Sequence, residues 1–244
     1  MKLITAIKIK PLIAVLFLSI VSLLTSVAIV KAFYPSPSSS LLGYTIVLDA
    51  GHGGRDNGCS GRITDVKESD VNLAIVKKLE KQLRAFGFNV VLTRHGKEGL
   101  YQENVDNYKR SDMEKRADII LASNADLVVS VHQNSFPSQH QRGAQAFYNT
   151  NSLEGEFFAK SIQKQLLKLL PYARKEANFG DYYMLKIVKV PTVIVECGYL
   201  TNSEEEQLLQ NAIYQDRIAY AILCGIVEYF DISTLVMTNG EYNV

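Results

Sequence analysis

Short apolar runs of β-forming residues alternate with longer helical segments through most of the chain, and this alternation constrains the fold more than any other feature. The first predicted helix, residues 68–86, carries an apolar stripe at four-residue spacing and is followed by Gly87, a residue typical of helix ends. A second helix is predicted at residues 152–170, before Pro171. The predicted strands are residues 44–49, 88–93, 127–131 and 192–195. The pattern predicts an α/β fold: a three-layer, mostly parallel twisted sheet with helices on both faces.

Two further helices are predicted from their first turns. Ser111-Asp-Met-Glu114 and Ser203-Glu-Glu-Glu206 both have the capping-box pattern, in which a serine caps the helix and a glutamate three residues later bonds back to it. We therefore expect a helix to begin at each serine.

An uncharged run of 20 residues, positions 11–30, lies near the N-terminus. A helix of this length rises about 30 Å, roughly the thickness of the hydrocarbon core of a bilayer. Three lysines precede the run and only Lys31 follows it closely. Because positive charges favour the cytoplasmic side, this predicts a cytoplasmic N-terminus and places the rest of the chain on the opposite side of the membrane. One N-terminal transmembrane helix is the favoured interpretation. The alternatives are a signal peptide cleaved near Ser26-Val27-Ala28 and a buried core helix.

The charge distribution separates this segment from the remainder. Four of the 26 basic residues and no acidic residue lie in positions 1–31, which leaves 22 basic against 25 acidic residues in the rest of the chain. A mildly acidic body gives no electrostatic reason to expect nucleic acid as a partner. The three cysteines, Cys59, Cys197 and Cys224, contain no C-x-x-C pair, and their odd number argues against a disulfide framework.

Four polar residues follow predicted strands or open the first helix, at the edge of the sheet where α/β proteins bind ligands. His52 follows the first strand, Glu68 begins the first helix, His132 follows residues 127–131, and Glu196 follows residues 192–195. Two histidines and a carboxylate from separate elements form a three-ligand zinc set, and the remaining carboxylate can act as general base and then as acid.

Each of these residues also has a structural interpretation. A Gly-His-Gly sequence is often a turn, a histidine after an apolar strand is often a satisfied core residue, and a glutamate at a helix N-terminus favours the helix dipole. Glu196 is the exception, because a carboxylate beside a buried strand needs a partner or a function. His95 and His140 lie in polar loops and are predicted to be surface residues.

The sequence resembles the zinc-dependent N-acetylmuramoyl-L-alanine amidases of the amidase-3 family over residues 44–230. The strings that carry the resemblance are IVLDAGHGG (46–54), KES (67–69), ADLVVSVHQNS (125–135) and VPTVIVECGYLTN (190–202). The resemblance implies one Zn²⁺ per chain, with His52, Glu68 and His132 as its ligands and Glu196 as the catalytic glutamate. Arg94, Arg116 and Asn134 are candidates for holding the site or the substrate, and the substrate-binding residues are otherwise unassigned.

The short anchored architecture is similar to one subgroup, the CwlD-type germination-specific amidases of endospore formers. This similarity implies cleavage of the amide bond between N-acetylmuramic acid and L-alanine in spore-cortex peptidoglycan, as a step toward muramic-δ-lactam. It also implies that the protein is located on the extracytoplasmic face of a bacterial membrane, where it is either anchored or secreted. This location could include the forespore and cortex space. Some relatives need an activating partner protein. The alternatives are a general cell-wall amidase of growth or division, another zinc hydrolase, and a non-catalytic membrane-tethered peptidoglycan-binding module.

These expectations divide the chain into four segments. They are a membrane anchor or signal segment (1–31), a Pro/Ser-rich linker (32–43), a zinc amidase catalytic domain (44–231) and a C-terminal tail (232–244).

Overall fold

A computed structural model describes residues 43–239 together with Ser19, and its side chains are described as far as Asp231. The membrane segment (1–31) and the linker (32–43) fall outside this part of the chain, apart from Ser19 and Gly43, so both stay predictions. Within the described part, no helix combines the length and the apolar character that crossing a membrane requires.

One mixed sheet of six strands forms the centre of the described residues. Its strands are β1 (Thr45–Ala50), β2 (Asn89–Leu92), β3 (Leu127–Asn134), β4 (Gln145–Tyr148), β5 (Asn178–Phe179) and β6 (Thr192–Tyr199). Their order is β2-β1-β3-β6-β4-β5. The pairs β2-β1, β1-β3 and β3-β6 are parallel, as predicted, whereas β4 runs antiparallel to β6. The strands β4 and β5 are short and were not predicted.

Helices cover both faces of this sheet. They are α1 (Glu68–Phe86), α2 (Tyr108–Ala122), α3 (Leu153–Leu169), α4 (Tyr183–Ile187), α5 (Ser203–Gln210) and α6 (Ala212–Asn239). On one face, α1, α3 and α6 pack together over the larger apolar core. On the other face, a smaller apolar cluster joins the sheet to α2 and α4.

Strand β1 shows why the central strands are mostly apolar. Ile46 and Leu48 belong to the larger core, whereas Val47, between them, belongs to the cluster on the opposite face. Successive side chains of a strand point to opposite faces, so a strand that is covered on both sides buries apolar residues at consecutive positions. Polar side chains follow the apolar parts of these strands toward their carboxyl ends, where the candidate site lies.

The structure corrects the predicted start of one helix and the predicted cap of the other. Helix α2 begins at Tyr108, and its cap is Asn107, whose side chain accepts a 3.0 Å hydrogen bond from the backbone N–H of Arg110. Ser111 instead lies inside the helix, where its hydroxyl accepts a bond from the backbone of Gln102. Asparagine caps helices as well as serine does, and here it lies four residues earlier.

Helix α5 has its predicted position but not its predicted cap. Asn202 accepts hydrogen bonds from the backbone N–H groups of Glu204 and Glu205, so Ser203 is the first helical residue. Glu206 does not bond back to Ser203, because its carboxylate accepts three backbone hydrogen bonds from residues 62–64.

The cysteines form no disulfide within the described residues, in agreement with the sequence. Cys197 is buried, as expected, whereas Cys224 is only partly buried. Cys59 is also partly buried, and its backbone N–H donates a 2.9 Å hydrogen bond to Glu68.

Candidate active site

The three predicted ligands meet at one edge of the sheet. His52 lies in the loop after β1, Glu68 is the first residue of α1, and His132 lies in β3. One donor atom from each of the three side chains lies within 4.8 Å of the other two. The sequence placed His132 just after its strand, but the strand continues to Asn134 because backbone pairing does not stop where the apolar run ends.

Glu68 is the central residue of this group. Its Oε1 lies 3.1 Å from His132 Nδ1 and 3.3 Å from His52 Nε2. The same oxygen accepts a 3.1 Å hydrogen bond from the backbone N–H of Gln133, and Oε2 accepts the bond from Cys59. Burial by itself raises the pKa of Glu68, but the hydrogen bonds from the two imidazoles outweigh it and hold that pKa below its usual range. The carboxylate is therefore ionised and fixed in position.

Two glycines make room for these side chains. A Cβ atom on Gly51 would lie 2.2 Å from His132 Cε1, far closer than van der Waals contact allows. A Cβ atom on Gly58 would lie 2.4 Å from Glu68 Oε2 and 2.7 Å from His52 Cδ2, and the backbone of Gly58 has a φ of +68°, which favours glycine. The two glycine positions thus leave the space that the side chains of the candidate ligands occupy.

Asp56 orients His52 from the side away from Glu68. Asp56 Oδ2 lies 2.8 Å from His52 Nδ1, which directs Nε2 of the same ring toward Glu68. Burial lowers the pKa of His52, but the hydrogen bonds to Asp56 and Glu68 outweigh burial and raise it to about 9. The two carboxylates therefore favour positive charge at this position. Asp56 was not singled out in the sequence, because its contact with His52 forms within a loop that has no distinctive local pattern.

Glu196 lies beside the histidines. It is the direct register partner of His132 across the parallel pair β3-β6, and it lies inside β6 rather than after it. Only 7% of the residue is exposed, and its Oε2 has no hydrogen-bond partner among the described residues. Burial raises the pKa of Glu196 to about 7, which gives the carboxyl comparable tendencies to accept and to donate a proton near neutral pH.

A cavity of about 380 Å³ opens above these residues. The three candidate ligands and Glu196 line it together with Asp56, Lys109, Asn134 and Tyr182. Burial raises the pKa of the Tyr182 hydroxyl to about 12, so this side chain is neutral. His95 and His140 are exposed, as predicted, and neither lines this cavity.

The two arginines singled out in the sequence lie beneath the site and are almost fully buried. Arg94 donates hydrogen bonds to the backbone carbonyls of Ala50, Gly51 and Ser69. Arg116 donates hydrogen bonds to the backbone carbonyls of Ala50 and His52. Both arginine side chains therefore hold the backbone near the candidate ligands in place. Asn134 lines the cavity, and its side chain accepts a hydrogen bond from the backbone of Ser135.

The donor set fits a divalent metal ion such as zinc. Two imidazoles and one carboxylate are a common ligand set of catalytic zinc sites, which leave a fourth position for water or substrate. The hydrogen bond from His52 to Asp56 is the contact that orients a metal-binding imidazole in such sites. The structure thus describes an α/β protein with a group of side chains that could hold a metal ion beside a buried carboxyl group.

Comparison with protein families identifies the chain. The model of the amidase-3 family, described as N-acetylmuramoyl-L-alanine amidase, matches residues 46–228. The chain belongs to this family, and its activity is that of an N-acetylmuramoyl-L-alanine amidase.

Individual relatives agree with this assignment. The chain is 36% identical over 197 residues to the germination-specific N-acetylmuramoyl-L-alanine amidase of Bacillus subtilis, which covers 79% of this chain and 82% of the relative. Among solved structures, it resembles the CwlD amidase of Clostridioides difficile in complex with the GerS lipoprotein, with a TM-score of 0.75, 36% identity and coverage of 78% of this chain and 100% of that one. The catalytic domain of CwlV from Bacillus (Paenibacillus) polymyxa var. colistinus has a TM-score of 0.67, 29% identity and coverage of 77% and 98%.

Proposed function

We propose that this amidase cleaves the bond between the lactyl carbonyl of N-acetylmuramic acid and L-alanine in spore-cortex peptidoglycan, as a step toward muramic-δ-lactam. The similarity to a germination-specific amidase over most of both chains supports the cortex as the substrate. The observation that carries the chemistry is that three candidate metal donors line one cavity with a buried carboxyl group whose Oε2 accepts no hydrogen bond within the described residues.

His52, Glu68 and His132 hold one Zn²⁺ per chain in this proposal. Zinc in this donor set would supply a Lewis acid that polarises the amide carbonyl and lowers the pKa of a water molecule. Glu68 contributes a negative charge already stabilised by the backbone of Cys59 and Gln133. Asp56 holds the His52 ring in the orientation that presents Nε2.

Glu196 moves the proton. Its Oε2 accepts no hydrogen bond within the described residues, so this oxygen can accept the proton of the attacking water molecule. The carboxyl group then returns that proton to the departing alanine nitrogen, which must be protonated before the amide bond breaks. Burial raises the pKa of Glu196 above its usual range, which helps the carboxyl group to hold the proton between the two transfers.

The catalytic domain, residues 44–231, works on the extracytoplasmic face of the membrane in this proposal, held there by the segment 1–31 or secreted after its cleavage. Peptidoglycan lies on that face. A structural relative was solved in complex with a lipoprotein, which supports a partner protein that activates or positions this amidase as well.

The test is product analysis with the purified full-length protein and zinc. Peptidoglycan from vegetative walls and from spore cortex is digested, and newly exposed N-terminal alanine is quantified, with Glu196→Gln as the control. Zinc-dependent release that the Glu196→Gln protein lacks supports the mechanism, and a preference for cortex supports the sporulation role. Equal release from both substrates contradicts that role, and undiminished release by Glu196→Gln contradicts the assignment of the base.

A further inference from the structure

Two lysine or arginine side chains line the cavity, and they differ in what they can still bind. Arg116 is buried and already forms ion pairs with Asp49 and Asp112 and hydrogen bonds to two backbone carbonyls. Lys109, the second residue of α2, has a side chain that is 59% exposed. Of these two cations, therefore, only Lys109 is accessible to a molecule entering the cavity.

Lys109 is linked to the candidate metal ligands through one residue. Its Nζ lies 3.1 Å from Asp56 Oδ1, and Asp56 Oδ2 lies 2.8 Å from His52 Nδ1. Asp56 holds the ammonium group at the rim of the cavity on the His52 side. An ammonium group has three N–H donors, and the bond to Asp56 uses one of them, so the others can bind a substrate anion.

The substrate carries a carboxyl group close to the scissile bond. In a peptidoglycan stem, L-alanine is followed by D-glutamate that is joined through its side-chain carboxyl, so its α-carboxyl is either free or amidated. Two residues of extended chain span about 7 Å, so this group lies within about 7 Å of the scissile nitrogen. Lys109 lines the same cavity and contacts Asp56, which in turn contacts the candidate ligand His52. The carboxylates of Asp56 and Glu68 would repel such an anion unless a cation separated them from it.

We propose that Lys109 is a specificity-determining residue that binds the free α-carboxylate of the second residue of the stem peptide. The inference rests on the proposed function and adds a preference to it: stems with a free carboxylate at this position bind more tightly than amidated stems. A charge-assisted hydrogen bond is stronger than a neutral one, and a carboxamide offers a neutral acceptor together with N–H groups that face a donor.

The competing interpretation is that Lys109 serves only to hold Asp56. In that case, removing its charge disturbs His52 and affects every substrate alike. The two interpretations therefore differ in whether the effect of a Lys109 substitution depends on the second stem residue.

The experiment compares two muramoyl peptides that differ only in this α-carboxyl group, free in one and amidated in the other. The full-length zinc protein, Lys109→Met, Lys109→Arg and a control variant are assayed for KM and kcat, with bound zinc measured in each. Lys97→Met is the matched control, because Lys97 is also exposed and paired with an aspartate, Asp70, but does not line the cavity.

We expect Lys109→Met to raise KM about tenfold for the free-carboxylate peptide, with kcat and zinc content unchanged and little effect on the amidated peptide. Lys109→Arg should restore most of the preference, and Lys97→Met should change neither substrate. An equal rise in KM for both peptides, an unchanged KM, or a loss of zinc that accounts for the defect would overturn the inference.

A binding measurement separates this inference from the proposed function. Affinities of both peptides are measured for Glu196→Gln with and without Lys109→Met, which requires no turnover. If the wild-type protein cleaves neither peptide, the proposed function fails. Even then, if adding Lys109→Met to Glu196→Gln weakens binding of the free-carboxylate peptide alone by about tenfold, the role of Lys109 is supported. If the added substitution leaves the affinity for that peptide unchanged, the role is overturned.

Discussion

The guanidinium group of Arg116 donates a 2.7 Å hydrogen bond to the backbone carbonyl of His52. His52 has a φ of +61°, a left-handed conformation that is uncommon for a residue with a side chain. The same guanidinium forms a buried ion pair with Asp49 at the end of β1. A single side chain from α2 therefore connects the sheet to the loop that presents a candidate metal ligand.

This connection predicts that Arg116 supports both folding and metal binding. Arg116→Met leaves Asp49 buried without its partner, which should lower the free energy of unfolding by about 3–5 kcal/mol. Arg116→Lys keeps the charge but cannot make the same set of bonds, so we expect a smaller loss of stability together with weaker zinc binding. Urea denaturation and zinc titration measure the two effects. Arg110→Met, which removes an exposed arginine of the same helix, should change neither, and an Arg116→Lys protein with normal zinc affinity would contradict the role.

The positions of the site residues along the chain could be predicted because each lies next to an apolar strand or opens a helix. Parallel strands bring their carboxyl ends to one edge, so His52, His132 and Glu196 were expected there together. Their positions relative to the strand ends could not be predicted in the same way. Both His132 and Glu196 lie inside strands, because backbone pairing continues beyond the apolar run.

Contacts between distant segments could not be predicted from local patterns. The cap of α2 moved to Asn107, and Glu206 bonds a loop more than 140 residues earlier in the chain rather than its own helix start. Asp56 and Lys109 have no distinguishing pattern of their own, because their roles depend on a salt bridge between a turn and a helix. Long-range pairs of this kind become visible only when the elements are assembled.

The proposed ligands and the proposed base should respond differently to substitution. His132→Ala removes one of three donors, so we expect it to lose zinc and activity together. Glu196→Gln keeps the shape of the side chain and all three donors, so it should retain one zinc per chain while turnover falls by roughly 10²–10⁴-fold. Zinc content by mass spectrometry of the metal, measured beside alanine release, distinguishes them. Stoichiometric zinc in His132→Ala would be evidence against the ligand set.

Gly51 should be intolerant of even one added carbon atom. A Cβ at this position lies 2.2 Å from His132 Cε1, and the imidazole cannot move away without leaving Glu68. We expect Gly51→Ala to weaken zinc binding strongly while the fold is largely kept. Gly96→Ala is the control, because its Cβ would meet the flexible end of Glu98 at 2.1 Å, which can move into solvent. Zinc titration of both variants checks the prediction, which a normal zinc affinity in Gly51→Ala would refute.

The lowered pKa of Asp49 predicts how the free energy of unfolding depends on pH. Burial raises the pKa of Asp49, but the charge of Arg116 and the hydroxyls of Ser130 and Thr93 outweigh burial and hold it well below the ordinary value of 3.8. The unfolded chain, in which the pKa returns to about that value, therefore binds a proton on Asp49 more readily than the folded protein does. It follows that this residue's contribution to stability is complete above pH 3.8 and is lost as the pH falls toward the folded pKa.

The Asp49→Asn variant isolates this contribution because asparagine does not titrate. At pH 7 the variant should be clearly less stable than the wild type, since Arg116 loses its charged partner. As the pH falls from about 5 to 2, the wild type should lose stability more steeply, and the difference between the two proteins should shrink. Urea denaturation over this pH range measures both curves, with Asp118→Asn as the control for an exposed aspartate of α2. Parallel curves for the wild type and Asp49→Asn would show that the buried pair does not govern acid stability.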